Sequence, residues 1–230
     1  MRQHRAYVEA LTPTIRLSPE ETHHLHVLRA QVGDSVRVFD GRGREGLARI
    51  LLLGEEALLE LESSWEVSRE PPVPIELWLP LLKGDHLAEI VRGATELGAT
   101  AFHLFLSRRT IPRELSQAKL ARLQKIAQEA AKQCQRNVVP RVAPPLPLSE
   151  IPSVSQGLVA QPGSTLRVRE ALRLEEPVTL LTGPEGGLDP EEVELLSARG
   201  FIPVQLGPRI LRAETAPLAL LALVTAGEGR

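Results

Sequence analysis

Hydrophobic and polar positions follow two different rhythms along this chain, and the change falls near Glu70–Pro74. Before it, apolar residues come in short runs separated by turn signals. Ser35–Phe39, Leu47–Leu53 and Ala57–Leu61 read as strands, with Asp40–Gly46 and Gly54-Glu55-Glu56 as turns between them. Only His23–Ala30 looks helical. The pattern predicts a small β-rich domain over residues 1–70, of barrel type. Pro71-Pro72-Val73-Pro74 then forms a stiff, non-helical connector.

Beyond the connector, residues 71–230 alternate between strand and helix patterns. Ile75–Leu82, Thr100–Leu106, Gly157–Ala160, Val178–Thr182 and Ile202–Leu206 read as strands. Helical spacing covers His86–Leu97, where Gly98 ends the pattern, and also Gln117–Arg136, Glu191–Ala198 and Ala216–Ala226. Pro140–Pro152 reads as a proline-rich crossing. Alternation of this kind predicts an α/β domain with a mainly parallel sheet covered by helices on both faces.

Composition narrows the picture. Apolar residues make up 43% of 230, enough for a real core, but only seven are aromatic, which disfavours a broad base-stacking platform. The net charge of −2 hides a local imbalance: residues 105–141 hold nine Arg and Lys against two acids, Glu114 and Glu129. Much of that block would form one face of the helix Gln117–Arg136, through Arg122, Lys125, Lys132 and Arg136, and can attract phosphate. Its alternative is a solvated helix face. Cys134 is the only cysteine, and His23, His24 and His26 lack ligand spacing, so neither a disulfide framework nor a metal site is expected. The first ten residues lack the long apolar core of a signal peptide, and Ala216–Ala226 is too short to span a bilayer; a reducing cytoplasm is the expectation.

Three motifs could carry chemistry. Gly41-Arg42-Gly43-Arg44-Glu45-Gly46 matches the dinucleotide pattern formally, but strand continues after it where a helix is required, so it reads as a hairpin turn with Arg42 and Arg44 at its tip. The segment Thr182-Gly183-Pro184-Glu185-Gly186-Gly187-Leu188 follows a buried strand and precedes Asp189-Pro190-Glu191-Glu192, a strong helix start. Three glycines exceed what a turn needs and let a ligand approach the backbone. Four acids crowd the loop and would repel phosphate, which points to a ligand without one. The segment Leu206-Gly207-Pro208-Arg209-Ile210-Leu211-Arg212-Ala213-Glu214-Thr215 follows the next strand, with Glu214 or Thr215 expected to cap the last helix. Two strand ends thus feed two glycine-bearing loops at one sheet edge, where open α/β sheets bind ligands.

LTGPEGGLDPEE and LGPRILRAETAPLA closely resemble the SPOUT class of methyltransferases, and within it the RsmE family. HHLHVLRA with VGDSVRVFDG resembles that family's N-terminal PUA-like barrel, and KGDHLAEIVRGATELGAT and EAAKQCQRN the first part of its catalytic domain. The resemblance covers the whole chain. It implies a PUA-like RNA-binding domain at 1–70 and a dimeric trefoil-knot domain at 71–230. The implied reaction is S-adenosylmethionine-dependent methylation of uridine N3, conventionally uridine 1498, in small-subunit 16S ribosomal RNA. A sulfonium donor without phosphate suits the acidic loop.

The resemblance places the donor against Thr182, Gly183, Pro184, Glu185, Gly186, Leu206, Gly207, Ile210, Leu211, Arg212, Thr215 and Ala216. RNA would meet His23, Arg29, Arg42, Arg44, Arg122, Lys125, Lys132, Arg136 and Asn137. Transfer to N3 needs loss of the imide proton, so a base or a cation that favours the anion would help. The candidate bases are Glu185 and Glu214; the candidate cations are Arg209, Arg212 and Arg136. Two alternatives stay open: a ribose 2′-O-methyltransferase of the same superfamily, and a non-catalytic RNA-binding knot protein. The last helix is apolar nearly all round, which implies a second covered face: either burial between the sheet and neighbouring helices of the same chain, or the interface of the homodimer that the resemblance implies.

Overall fold

The computed structural model describes residues 4–173 and 175–226. It divides into two compact units, Met1–Glu70 with Ala131–Val139, and Pro71–Ala130 with Pro140–Arg230. The stretch Ala131–Val139, which the rhythm of the sequence assigns to the second domain, therefore belongs to the first unit.

The first unit contains β1 (His4–Tyr7), β2 (Thr14–Arg16), α1 (Pro19–Val27), β3 (Ser35–Phe39), β4 (Arg44–Leu53) and β5 (Ala57–Glu66). Its sheet order is β1-β3-β4-β5-β2, with β1 parallel to β3 and the other pairs antiparallel. Alternate residues of all five strands point into one core, including Ala6, Ile15, Val36, Val38, Ile50 and Leu59, and Leu25 of α1 closes it. Burying each large aliphatic side chain there stabilises by roughly 1.5–3 kcal/mol. α1 begins four residues before the expected start. Ser18 accepts a hydrogen bond from Glu21 N at 3.2 Å, and Pro19 occupies the first turn. The short β1 and β2 are additional to the expected strands, and β5 runs five residues past Leu61.

Arg136 and Asn137 hold Ala131–Val139 in this unit. Arg136 is 3% exposed and bound through two nitrogens to Glu70. Asn137 is 1% exposed; it accepts from Arg5 Nη2 and donates to Val67 O at 3.1 Å.

The second unit contains β6 (Ile75–Pro80), α2 (His86–Glu96), β7 (Ala101–Leu106), most of α3 (Gln117–Gln133), β8 (Arg141–Pro147), β9 (Gly157–Ala160), α4 (Val168–Ala171), β10 (Val178–Thr182), α5 (Pro190–Ala198), β11 (Phe201–Val204) and α6 (Thr215–Thr225). Every strand pair is parallel, in the order β11-β9-β10-β6-β7-β8. The expected proline-rich crossing contains β8, an edge strand. Pro144 and Pro145 fit there because an outer edge needs no ladder donors. One face of the sheet, through Trp78, Phe105, Val159 and Leu181, packs on Leu188, Leu196 and Phe201. The other face meets α6, which also contacts α2 and α4.

The chain steps outward from β6 to β8, then crosses to β9, so the strand order reverses beside β10. After β11, Gln205 N donates to Leu166 O at 2.8 Å, tying the outgoing segment to the β9–β10 connection. That segment runs on to α6, which lies against β10, β9 and α4. The C-terminal helix and the β9–β10 connection are thereby packed together at the place where the resemblance implies a knot. Sequence periodicity carries no trace of such threading.

Candidate active site

The carboxyl ends of β9, β10 and β11 lie side by side at the strand-order reversal, and the loop after each one walls a cavity of about 800 Å³. That volume falls in the range of small-molecule sites, roughly 300–1,000 Å³. The lining includes Thr182, Gly183, Pro184, Glu185 and Gly186 from the second loop, and Leu206, Gly207, Ile210, Leu211, Arg212 and Ala216 from the third. Glu185, Arg209, Arg212 and Glu214 also line it, so the four acid and base candidates of this unit share one space. Thr215 does not. It is exposed at the start of α6, with its N–H bonded to Arg212 O at 3.0 Å. The first loop, Gln161-Pro162-Gly163-Ser164, is an addition to the expected site. Its Pro-Gly pair directly after a strand marks a turn, and only the sheet order brings that turn to the cavity.

Local geometry shows why the glycines stand where they do. Gly207 has φ +123 and Gly187 φ +72, and a Cβ on either would meet nothing within 4 Å. Both need a backbone that side-chain-bearing residues rarely adopt, and both leave open space. Gly186 has a different role. A Cβ there would lie 3.2 Å from Arg109 Cβ, so this glycine admits Arg109. Arg109 Nη1 donates to Gly186 O at 2.8 Å, and its Nη2 pairs with Asp189 at 2.5 Å, clamping the loop to the start of α5. Thr182, 1% exposed at the cavity wall, has a hydroxyl without a hydrogen-bond partner, a group that a polar ligand could satisfy.

Most of the acids at this loop are already paired. Of the four acids in the sequence motif, Asp189 pairs with Arg109, Glu191 with Arg108 at 2.6 Å, and Glu192 accepts from the backbone of Arg108 and Asp189. Only Glu185 lines the cavity, where one oxygen accepts from Lys83 N at 3.4 Å. Repulsion of phosphate by an acidic loop therefore rests on one carboxylate. Glu214 does not cap α6 through its side chain; it lies 3.7 Å from Arg212. Arg209 is exposed, with no hydrogen bond or ion pair among the described residues.

The basic block of residues 105–141 is largely spent inside the protein. Arg108 and Arg109 serve α5, Arg113 donates to the carbonyls of Ser107 and Arg108, and Arg122 forms a two-point pair with Asp85. That pair lowers the Asp85 carboxyl below its ordinary range through the Arg122 hydrogen bond and raises the Arg122 guanidinium in turn. Lys132, with a side chain 10% exposed, is bound to Glu21 at 3.0 Å. Lys132, Arg136 and Asn137 are thus removed from the expected RNA surface by burial and pairing, and Arg136 from the candidate cations. Lys125 and Arg122 remain exposed on α3, and His23, Arg29, Arg42 and Arg44 are exposed on the first unit. Among the described residues, no group of three or more His, Cys, Asp or Glu could hold a metal, and no helix is long and apolar enough to cross a membrane.

An all-parallel sheet with its C-terminal segment packed on the β9–β10 connection, and a cavity walled by the loops at that place, fit the SPOUT class of RNA methyltransferases. Residues 69–225 match the RNA methyltransferase domain family, and residues 17–61 the RNA methyltransferase PUA domain family. The chain is 40% identical to ribosomal RNA small subunit methyltransferase E of Synechocystis, over 95% of this chain and 75% of that one. It is 33% identical to the Bacillus subtilis protein of the same name, over 93% and 90%. The crystal structure of ribosomal RNA small subunit methyltransferase E from Neisseria gonorrhoeae, bound to S-adenosyl methionine, superposes with a TM-score of 0.90 at 31% identity, covering 98% of each chain. This chain belongs to the ribosomal RNA small subunit methyltransferase E family.

Proposed function

We propose that the protein transfers a methyl group from S-adenosylmethionine to N3 of a specific uridine in small-subunit ribosomal RNA. The observation that carries this reading is the cavity walled by three strand-end loops, with Thr182 unsatisfied at its wall and open space at Gly187 and Gly207. Those features suit a donor that meets backbone closely and brings polar groups of its own. When bound, the donor supplies a methyl group activated by its sulfonium charge. This chain's residues align it with the base and manage the imide proton. Glu185 and Glu214 are the carboxylates in reach of the cavity, and Arg209 is the cation free to stabilise the N3 anion. Alignment alone can supply a large part of the rate gain.

The reading places the enzyme in the cytoplasm, acting as a homodimer. The last helix supports a dimer in a modified form. Leu220, Leu221 and Val224 face the protein's own core, whereas Leu223 is 51% exposed. Leu223→Arg, and not a change at Leu221, should therefore yield monomers in light scattering at micromolar concentration. A monomeric wild type would defeat the dimer.

The test of the reaction is transfer of labelled methyl from the donor to small-subunit RNA, followed by nucleoside analysis. N3-methyluridine is the expected product. An alkali-resistant dinucleotide would reassign the enzyme to ribose 2′-O chemistry. Donor binding without transfer to any RNA would make it a binding protein.

A further inference from the structure

The outer face of the first unit carries a charge imbalance that its fold does not require. Glu45 is 1% exposed and stands at the centre of three arginines. Its Oε2 accepts from Arg5 at 3.3 Å and Arg69 at 3.4 Å, and its Oε1 from Arg37 at 3.2 Å and Trp65 Nε1 at 3.0 Å. Three guanidinium groups share one carboxylate, and among the described residues no second carboxylate pairs with any of them. Burying one carboxylate needs one partner; two further cations held within the same few ångströms repel each other.

The excess is not evenly placed. Arg5 donates inward to Arg136 O and Asn137, with its Nε buried and unpartnered, and its guanidinium lies 4.4 Å over the Phe39 ring; Arg69 donates also to Gln135 O at 3.1 Å. Arg37 and Arg69 have side chains 28% and 33% exposed, and Trp65 between them is 36% exposed. The Arg37 guanidinium lies 5.8 Å from the Trp65 ring centre, and its Nε is buried without a partner. Burial lowers the Arg5 guanidinium most; the Glu45 charge raises it in part, and the charges of Arg69 and Arg37 lower it further. An anion on the solvent side of Arg37 and Arg69 would relieve that repulsion, and an apolar ring beside it suits the sugar and base that accompany a phosphodiester.

We propose that Arg37, Trp65 and Arg69 form a phosphodiester-binding subsite for a single-stranded stretch of RNA, on the face of the first unit opposite its hydrophobic core. The proposal rests on the reading that RNA is the substrate. Glu45 then acts as a positioning residue: it holds two forked donors and an indole by hydrogen bonds before the strand arrives, so little side-chain freedom is lost on binding.

The experiment uses the full chain, a fluorescein-labelled single-stranded RNA oligonucleotide and, separately, inorganic phosphate. Arg37→Gln and Arg69→Gln should each weaken RNA binding about five- to tenfold. Each should also reduce the dependence of log affinity on log salt by about 0.7, as for one lost phosphate contact to a single strand. Donor binding by calorimetry should not change. In the wild type, bound RNA should shield Trp65 from acrylamide quenching, with Trp65→Phe supplying the background from Trp78; this arm needs no arginine variant to fold. Unchanged RNA affinity in both arginine variants, or no shielding of Trp65, overturns the subsite while leaving the substrate reading intact. A wild type that fails to bind RNA at all overturns both. Inorganic phosphate that shields Trp65 as well as the oligonucleotide does, at equal phosphate concentration, overturns the assignment to an RNA strand.

Discussion

Two arginine-rich regions of this protein look alike in sequence and differ in what they are free to do. Between residues 105 and 141, Arg108, Arg109, Arg113, Arg122 and Arg136 all end on carboxylates or carbonyls of the protein itself. Between residues 206 and 215, Arg209 and Arg212 stand exposed at the cavity wall, with one loose 3.7 Å pair between Arg212 and Glu214. The denser block braces the fold and the sparser one faces the chemistry. Local charge in a sequence measures cations present, whereas function depends on cations left over after the fold has taken its share.

The sharpest way to break the comparison is to remove one arginine from each region. Arg136→Ala leaves Glu70, whose side chain is 17% exposed, without its partner and should destabilise the protein by about 1–3 kcal/mol in chemical denaturation. Arg209→Ala should leave stability within about 0.5 kcal/mol and slow methyl transfer by roughly a hundredfold, as for loss of one stabilising donor. Equal stabilities in the two variants would erase the distinction.

Next in size is the backbone of the cavity loop. Gly207→Val forces a branched residue to φ +123 and should cost about 1–3 kcal/mol of loop strain, read as at least a tenfold loss of donor affinity. Gly54→Val, at a turn where nothing lies within 4 Å and φ is not positive, is its control and should bind the donor normally. Gly186→Val should also weaken the donor, but through displacement of Arg109. Arg109→Gln should accordingly weaken donor binding by up to about fivefold, the scale of an exposed ion pair of no more than about 1 kcal/mol.

Glu45 adds a pH dependence to the first unit. Burial would raise its carboxyl, but hydrogen bonds from Arg69 and Trp65 and the charges of Arg69 and Arg37 outweigh that and hold it below its ordinary value. A carboxylate depressed in the folded state contributes stability fully above its unfolded pKa, and that stability is lost as pH falls through the folded value. The first unit should therefore weaken in acid below the ordinary carboxylate range, and Glu45→Gln should flatten that slope in denaturation series taken between about pH 5 and pH 2.

Long elements were legible because they repeat. Helical spacing of Leu87, Ile90, Val91 and Ala94 places α2, and the apolar runs place β6, β7 and β10. Short elements were legible only in part: β9 stands where the apolar run Gly157–Ala160 puts it, whereas β1 and β2, with four and three residues, lack a run or a period that shows. The start of α1 was legible in principle, since Ser18-Pro19-Glu20-Glu21 is a cap, a proline and two first-turn acids, but the histidine run drew the helix too far along. Of the cavity, the two glycine loops could be read and the Gln161–Ser164 loop could not, because adjacency of β9 to β11 is a property of the sheet order. Pairing of Lys132 with Glu21, 111 residues away, is beyond any local pattern. It also spoils Lys132→Glu as a probe of RNA binding, because that change would set two carboxylates against each other within the first unit.

On the proposed function, the three loops after β9, β10 and β11 hold S-adenosylmethionine. Calorimetric titration of the full chain with the donor, in the presence of a chelator, tests it most directly. Saturable binding of one donor per chain is expected, unaffected by the chelator and weakened at least tenfold by Gly207→Val in a variant that still unfolds in one cooperative transition above the titration temperature. No heat of binding to the folded wild type, or equal affinity in that variant, would contradict it.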